Sequence, residues 1–587
     1  MRRWSLVLCL MLLNLGGVAQ IYASTADSNE RLIGLWGDDA DAQAQVAGAL
    51  TIDGRSGAWR AEIAGFQVSV VKQGDAVSVS LPGDQGRYRG DLAIDQASIH
   101  GFWIQPSSDD GPAYASPLIL TRTQRGVWHG EVHPLSHRVS QYLEITTRDA
   151  DGSLTAFLRN PEFNFAREHQ LSVQVHGDMV TFEDPKRPGW QLHAKLDEDS
   201  GHLQVDWQGM GVFDYTRRDR DHALGFYART PAEAIYAYRE PVATDDGWIP
   251  ASLDEAGLDA RDIGALVTHL SQTAPAAGPH VQGLLIARHG KLVLEEYFQG
   301  FDAERPHDTR SAGKTFTSLM TGLAIMHGAA FTTQTPVLSL LPQYQALVQH
   351  DSRKQSITVD NLLSMTSGLA CDDSDDQSPG NEDVMQSQTH QSDWYRYTLD
   401  LPMARAPGGS QAVYCTAGIN LLGALIGRAT GMWLPAFFDK YVAKPLQMHG
   451  YYINLMPDGD AYLGGGIYLR PRDFIKLGQL YLSGGKWNGK RVIDQDWIER
   501  STARHSEFTA DHGYGYAWHL HQMKVGNRVF REYAAEGNGG QFVIVVPELE
   551  LVVAITAGNY GDFKTWYALQ DLVIDYIIPA ALDAKGG

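Results

Sequence analysis

Cysteine is almost absent from this chain. Three occur in 587 residues, Cys9, Cys371 and Cys415. Neither Cys371 nor Cys415 has a cysteine or histidine at metal-ligand spacing, so no zinc site is expected on them, and no metal or cofactor is expected elsewhere. Basic residues are also short, with 48 Lys and Arg against 69 Asp and Glu for a net charge of -21. That balance argues against nucleic acid and against an anionic membrane surface as partners. After the first two dozen residues no stretch is apolar enough for a membrane-spanning helix. No Gly-x-Ser-x-Gly occurs, which removes the nucleophile elbow of the α/β-hydrolases.

What is present starts with a stretch that reads as an export signal. Arg2 and Arg3 precede the apolar run Val7-Leu8-Cys9-Leu10-Met11-Leu12-Leu13, and Ile21-Tyr22-Ala23 is a tolerable cleavage site. Residues 1–23 are therefore expected to be a signal peptide and the protein periplasmic or secreted. Removing it leaves Cys371 and Cys415, an even count that suggests a disulfide in an oxidising compartment, two buried thiols being the alternative.

The length calls for two or three domains. Residues 30–227 read as short alternating runs such as Phe66-Gln67-Val68-Ser69-Val70-Val71 and Leu171-Ser172-Val173-Gln174-Val175, punctuated by turn pairs. This is an all-β pattern, barrel or sandwich. Gly-x-Trp recurs at Trp36, Trp103 and Trp128, either at a ligand-binding barrel mouth or, by the stronger argument, as core indoles. Residues 228–254 form a linker rich in Ala, Pro and acidic residues. Residues 255–587 change to helical periods framed by two hairpins, 283–297 around His289-Gly290 and 541–555 around Pro547-Glu548. Strands at both ends with helices between predict an α+β domain, an antiparallel sheet covered by helices.

The chemistry centres on Thr309-Arg310-Ser311-Ala312-Gly313-Lys314, which opens a helix with Phe316, Leu319, Met320 and Leu323 on one face. Residues i and i+3 share a side, so Lys314 can reach the Ser311 hydroxyl. A buried lysine loses basicity and can then take the serine's proton. Ser69-Val70-Val71-Lys72 and Ser483-Gly484-Gly485-Lys486 show the same spacing, but one is a strand and the other a turn. The acidic run from Cys371 to Asp376 lacks the glycine and distal glutamate of a calcium loop and reads as solvated.

Several stretches in order carry a family likeness: Arg310-Ser311-Ala312-Gly313-Lys314, Leu362-Leu363-Ser364-Met365-Thr366-Ser367-Gly368-Leu369, Tyr414-Cys415-Thr416-Ala417-Gly418, Gly464-Gly465-Gly466 and Gly537-Asn538-Gly539-Gly540-Gln541. From about residue 247 onward the chain resembles the serine β-lactamase and penicillin-binding-protein superfamily, on its class C-like esterase and peptidase branch. The resemblance implies a β-lactamase or transpeptidase-like fold and a serine hydrolase that forms an acyl-enzyme. Ser311 would be the nucleophile, Lys314 the base and Tyr414, preferred over Tyr452 because a helix follows it, the proton shuttle. Thr416 would offer a hydroxyl to substrate. Backbone donors of Ser311 and of Asn538, Gly539, Gly540 and Gln541 would bind the oxyanion. The cation of the family's third motif is missing there, and Glu536, if it faces the pocket, would repel a substrate carboxylate. The implied partner is a small-molecule or peptide substrate, an ester or amide. β-Lactamase, D-alanyl-D-alanine carboxypeptidase and a non-catalytic receptor are the rival readings, discriminated by activity on a simple nitrophenyl ester.

Overall fold

The computed structural model describes residues 29–583, except 42–44, 109–110, 137, 149–151, 165–169, 198, 208–210, 231–234 and 389–390. The expected signal peptide lies outside the described residues.

The alternating N-terminal pattern folds into two sheets. Eight strands close into a barrel: Gly34–Asp41, Arg138–Thr147, Leu154–Arg159, Gln170–His176, Met179–Glu183, Gln191–Leu196, Leu203–Trp207 and Gly211–Arg218. The first strand closes it, with Gly34 opposite Ile145 on one side and Leu35 opposite Arg218 on the other. Every second residue points inward, so Trp36, Leu143, Phe182, Val205 and Tyr215 fill the interior. Between the barrel's first two strands the chain builds a second antiparallel sheet of nine strands from Gly48 to Val132, with its own core of Tyr88, Trp103, Leu120 and Trp128. The three Gly-x-Trp indoles are core anchors, each at most 2% exposed.

The C-terminal half is an eight-stranded antiparallel sheet in the order 291–297, 281–288, 551–557, 541–546, 528–537, 519–525, 512–514, 506–509. Its central strands are apolar without a break because both faces are covered. Along Gln541–Val546, Phe542, Ile544 and Val546 enter one core, under helix Ala260–Ser271 and the C-terminal helical turns. Val543 and Val545 enter the other, under helices Gly313–Met326, Thr416–Thr430 and Pro471–Leu482. The two expected hairpins are present, as Val281–Arg288 with Lys291–Tyr297 and Gln541–Val546 with Leu551–Ala557.

The linker region is tied down rather than loose. Trp248 is buried, and Asp246 accepts a 2.7 Å bond from the Arg472 guanidinium, which also reaches Glu295 at 2.7 Å. The two halves also share a ladder. Strand Ala113–Gln124 of the N-terminal sheet pairs with Tyr452–Leu455. That strand pairs with Ile467–Leu469, which pairs with His307–Asp308 immediately before Ser311. The N-terminal sheet is thus hydrogen-bonded in series to the turn that carries the serine. Among the described residues no single helix is long and apolar enough to cross a membrane.

Candidate active site

Ser311 sits in a single tight turn, Arg310–Ala312, from which helix Gly313–Met326 departs. The Asp308 carboxylate accepts the Arg310 amide at 2.9 Å and holds the turn's start. Arg310 itself has φ +48°, the left-handed region that a non-glycine residue seldom occupies. The sequence predicts an amphipathic helix, whereas every residue from 313 to 324 is buried. Its polar side satisfies itself inside the protein: Thr315 donates to the Ala517 carbonyl and Thr317 to that of Leu463, both at 2.7 Å. The helix is the central post of the domain and not a surface helix.

Lys314 Nζ donates to Ser311 Oγ at 2.7 Å, and the lysine is 1% exposed. Burial pulls its pKa below the ordinary lysine range, while the Glu382 and Asp373 carboxylates oppose that fall. Tyr414 stands beside this pair, with Lys314 Nζ 4.9 Å from its ring centre. Burial drives the phenol's pKa well above the ordinary tyrosine value, although the neighbouring Ser311 hydroxyl favours its phenolate, so it rests protonated. Tyr452, the other tyrosine with the family's spacing, is turned away and donates to the His133 carbonyl.

The Tyr414 loop is clasped to a second loop. Cys371 and Cys415 form a disulfide across 44 residues. Beside it, Asp373 N–H donates to the Tyr414 carbonyl at 2.9 Å, and the Asp373 carboxylate accepts from Thr416 N–H at 2.8 Å and from its hydroxyl. Burial, with Glu382 nearby, pushes the Asp373 carboxyl up to about 6. Asp373 of the acidic run is thus a part-buried clasp, whereas Ser374, Asp375 and Asp376 are exposed as expected. In the chain-entropy account, closing a loop of this length contributes about 4 kcal/mol. Reduction, or the double substitution Cys371→Ala/Cys415→Ala, is expected to lower the unfolding free energy by that order in denaturant titrations. Non-reducing peptide mapping should show the linked pair, and two freely alkylated thiols in the native protein would refute it.

Other expected site residues are placed differently. Thr416 is fully buried with its hydroxyl on Asp373, so that hydroxyl does not face substrate. Gln541 is also fully buried, its amide donating to the Ala557 carbonyl and accepting from the Ala557 N–H. Gly540 packs against Leu569 and Gly539 against Tyr560, whereas Asn538 lines the cleft beside Ser311. The closest approach to the serine turn is at Gly537, where a Cβ would stand 2.4 Å from the Thr309 carbonyl oxygen. Only glycine fits there. Glu536 points to histidines rather than into the cleft: its Oε1 accepts from His521 Nε2 at 2.8 Å, and its Oε2 lies 3.7 Å from His519. The condition for Glu536 to repel a substrate carboxylate, that it face the pocket, is therefore not met.

Ser311 opens onto a cleft of about 730 Å³ whose walls come from both halves of the chain. The C-terminal half supplies Glu382, Tyr462 and Asn538, and the N-terminal sheet supplies Arg87, Ser108 and Tyr114. Four acids (Asp84, Asp308, Glu382 and Asp383) face the cleft with two arginines, Arg87 and Arg310. Arg310 is already paired with Asp308 at 2.9 Å. Glu382 accepts from Tyr462 at 2.6 Å. None of Asp373, Glu382, Tyr462 or the N-terminal wall was visible as site material in the sequence. Their spacing carries no signal, and only the fold brings them to Ser311.

The chain is similar to several known proteins. A 6-aminohexanoate-dimer hydrolase from Paenarthrobacter ureafaciens is 24% identical over 345 residues, 55% of this chain and 84% of that protein. Esterase EstB from Burkholderia gladioli is 28% identical over 211 residues, 34% of this chain and 52% of the esterase. A penicillin-binding protein homologue from Caulobacter crescentus superposes with TM-score 0.43 at 14% identity, over 55% of this chain and 99% of that one. The family model described as Beta-lactamase matches residues 267–572, more than half of the chain. With its sheet, covering helices and Ser-x-x-Lys turn in place, the chain belongs to the Beta-lactamase family of hydrolases.

Proposed function

We propose that the protein is an exported serine hydrolase that cleaves a small ester or amide through an acyl-enzyme on Ser311. The observation that carries this reading is the 2.7 Å contact of Lys314 Nζ with Ser311 Oγ, with the Tyr414 ring beside the same lysine, at the floor of a cleft. Neutral Lys314 takes the Ser311 proton as Oγ attacks the substrate carbonyl carbon. The oxyanion is met by the Ser311 N–H, at the start of a helix, and by a backbone N–H of the 537–541 turn. Tyr414 passes the proton to the leaving group as the carbon–heteroatom bond breaks. Water then enters, gives its proton to the same pair and releases the acid. Two relatives, one named as an esterase and one as the hydrolase of an aminohexanoate dimer, support the substrate class.

Mass spectrometry after brief exposure to a short-chain nitrophenyl ester tests the reading. It expects the acyl mass on the peptide bearing Ser311, with turnover. A receptor that kept only the pocket would show no turnover.

The electrostatics give a second test. Glu382 is the larger of the two carboxylate contributions that favour the charged lysine. Removing its charge by Glu382→Gln lowers Lys314 basicity further, so the neutral base is present at lower pH. The ascending limb of the kcat/KM profile is expected to move to lower pH. A limb that stays in place would mean that Lys314 is not the titrating base.

A further inference from the structure

Behind Tyr414, outside the serine cleft, lies a cluster that the proposed hydrolysis does not use. His519 and His521 alternate along strand His519–Val525 and so share a face. His512 comes from the neighbouring strand, where Tyr514 stands opposite His519. Glu532, opposite His521, and Glu536 come from the strand on the other side. One nitrogen from each of the three histidines lies within 4.8 Å of the other two.

We propose that His512, His519 and His521 form a binding site for a divalent transition-metal ion of the zinc type, with Glu536 as its orienting and charge-compensating carboxylate. The donor set decides the class. Three imidazoles suit zinc, cobalt, nickel or copper, whereas magnesium and calcium require oxygen ligands. His512 Nε2 and His519 Nδ1 face each other at 2.8 Å. Two nitrogens on one tetrahedral zinc stand about 3.3 Å apart, given zinc–nitrogen distances of about 2.05 Å, so the pair need open by only about half an ångström. Glu536 already holds the His521 ring through Oε1, and the Gln570 amide donates to that oxygen at 3.2 Å. A carboxylate fixing a ligand imidazole in this way is what metal sites use to set ring orientation.

The carboxylates point to a cation. Glu536 is 4% exposed and Glu532 3% exposed. Glu536 Oε2 and both Glu532 oxygens have no hydrogen-bond partner among the described residues. A hydrogen-bonded imidazole network alone leaves these three acceptors buried and unanswered, which is costly. A bound cation would be met by the Glu536 carboxylate, which already contacts His519 and His521. Sequence reading missed the site because its ligands come from separate strands. The readable signal was His519-Leu520-His521, two histidines on one face of a strand.

The site adjoins the proposed proton shuttle, since the His519 ring centre is 6.1 Å from that of Tyr414. A bound ion there would favour the Tyr414 phenolate and the neutral form of Lys314. That consequence rests on the hydrolase reading, whereas binding itself does not.

The test is made on the full chain. Zinc is added, excess is removed by gel filtration, and retained metal is measured per chain. Cobalt is then substituted to read the visible absorption of a low-symmetry, four- or five-coordinate ion. The expected result is one equivalent of zinc, the cobalt spectrum, and both unchanged in Ser311→Ala. His512→Ala and His521→Ala should each lose the equivalent, and Glu536→Gln should weaken binding roughly 10–100-fold. Wild-type protein that retains no zinc would overturn the proposal. So would zinc retained equally by the His512→Ala/His521→Ala double variant, which would place the metal on other surface histidines. The wild-type measurement needs no variant to fold.

Discussion

Ser311→Ala is expected to lower kcat for a nitrophenyl ester by roughly 10⁴–10⁶-fold, the range seen when a hydrolase loses its nucleophile. Ser311 is only partly buried in its turn, and among the described residues its hydroxyl takes one hydrogen bond, from Lys314, so the fold should survive the substitution. Circular dichroism and an unchanged unfolding midpoint check this. Lys314→Ala should cost a similar factor, and the double variant little more, because members of one catalytic unit do not add. Lys314 is fully enclosed, so its truncation leaves a cavity, and Lys314→Met separates lost chemistry from lost packing. Tyr414→Phe should reduce kcat more than it raises KM. Substantial turnover by Ser311→Ala would falsify the nucleophile assignment.

The second large effect is selectivity between substrates. We expect kcat/KM for a short-chain ester to exceed that for nitrocefin by roughly 10²–10⁴-fold. A β-lactam carries a carboxylate beside its reacting ring, and related lactamases hold it with a third-motif cation that residues 537–541 lack. Glu536 is turned away to the histidines, but Glu382 and Asp383 line the cleft, and Arg310 is occupied by Asp308. Thr416, committed to Asp373, cannot grip an acylamido side chain either. Each absent polar contact costs about 1–3 kcal/mol, and two such losses give the stated range. If nitrocefin proves the better substrate, Arg310 or Arg87 must be recruiting its carboxylate, and the ester reading fails.

Local chemistry was readable in the sequence, and assembly was not. The Ser311–Lys314 pair follows from helix periodicity, and Tyr414 from the helix that starts two residues later. Both hairpins follow from continuous apolar strands around turn residues. Alternation along residues 30–227 identifies strands but does not say which strand each one pairs with. The barrel interrupted by a second sheet was therefore out of reach, although barrel or sandwich was the right class. The same limit hid Asp373 and Glu382, whose role depends on a loop folding back over the Tyr414 segment. The side chains of Thr416 and Gln541, residues expected at the substrate, are buried with their polar atoms used internally. Hydrogen-bond demand inside a protein is set by neighbours that local sequence does not name.

The interrupted barrel also dictates an order of assembly during synthesis. Strand Gly34–Asp41 is made first, yet its two neighbours are Arg138–Thr147 and Gly211–Arg218. A nascent chain that has reached Val132 holds every strand of the nine between Gly48 and Val132, and these pair mainly with sequence neighbours. That sheet can form early, because short loops close at low entropic cost. The first barrel strand must wait through it with both edges open, an exposure that invites pairing with other chains. Closure comes only when residue 218 has emerged. The edge of strand Ala113–Gln124 waits longer still, until Tyr452–Leu455 arrives to join it to the ladder that ends at Ser311. The reactive turn is thus among the last parts of the molecule to be secured.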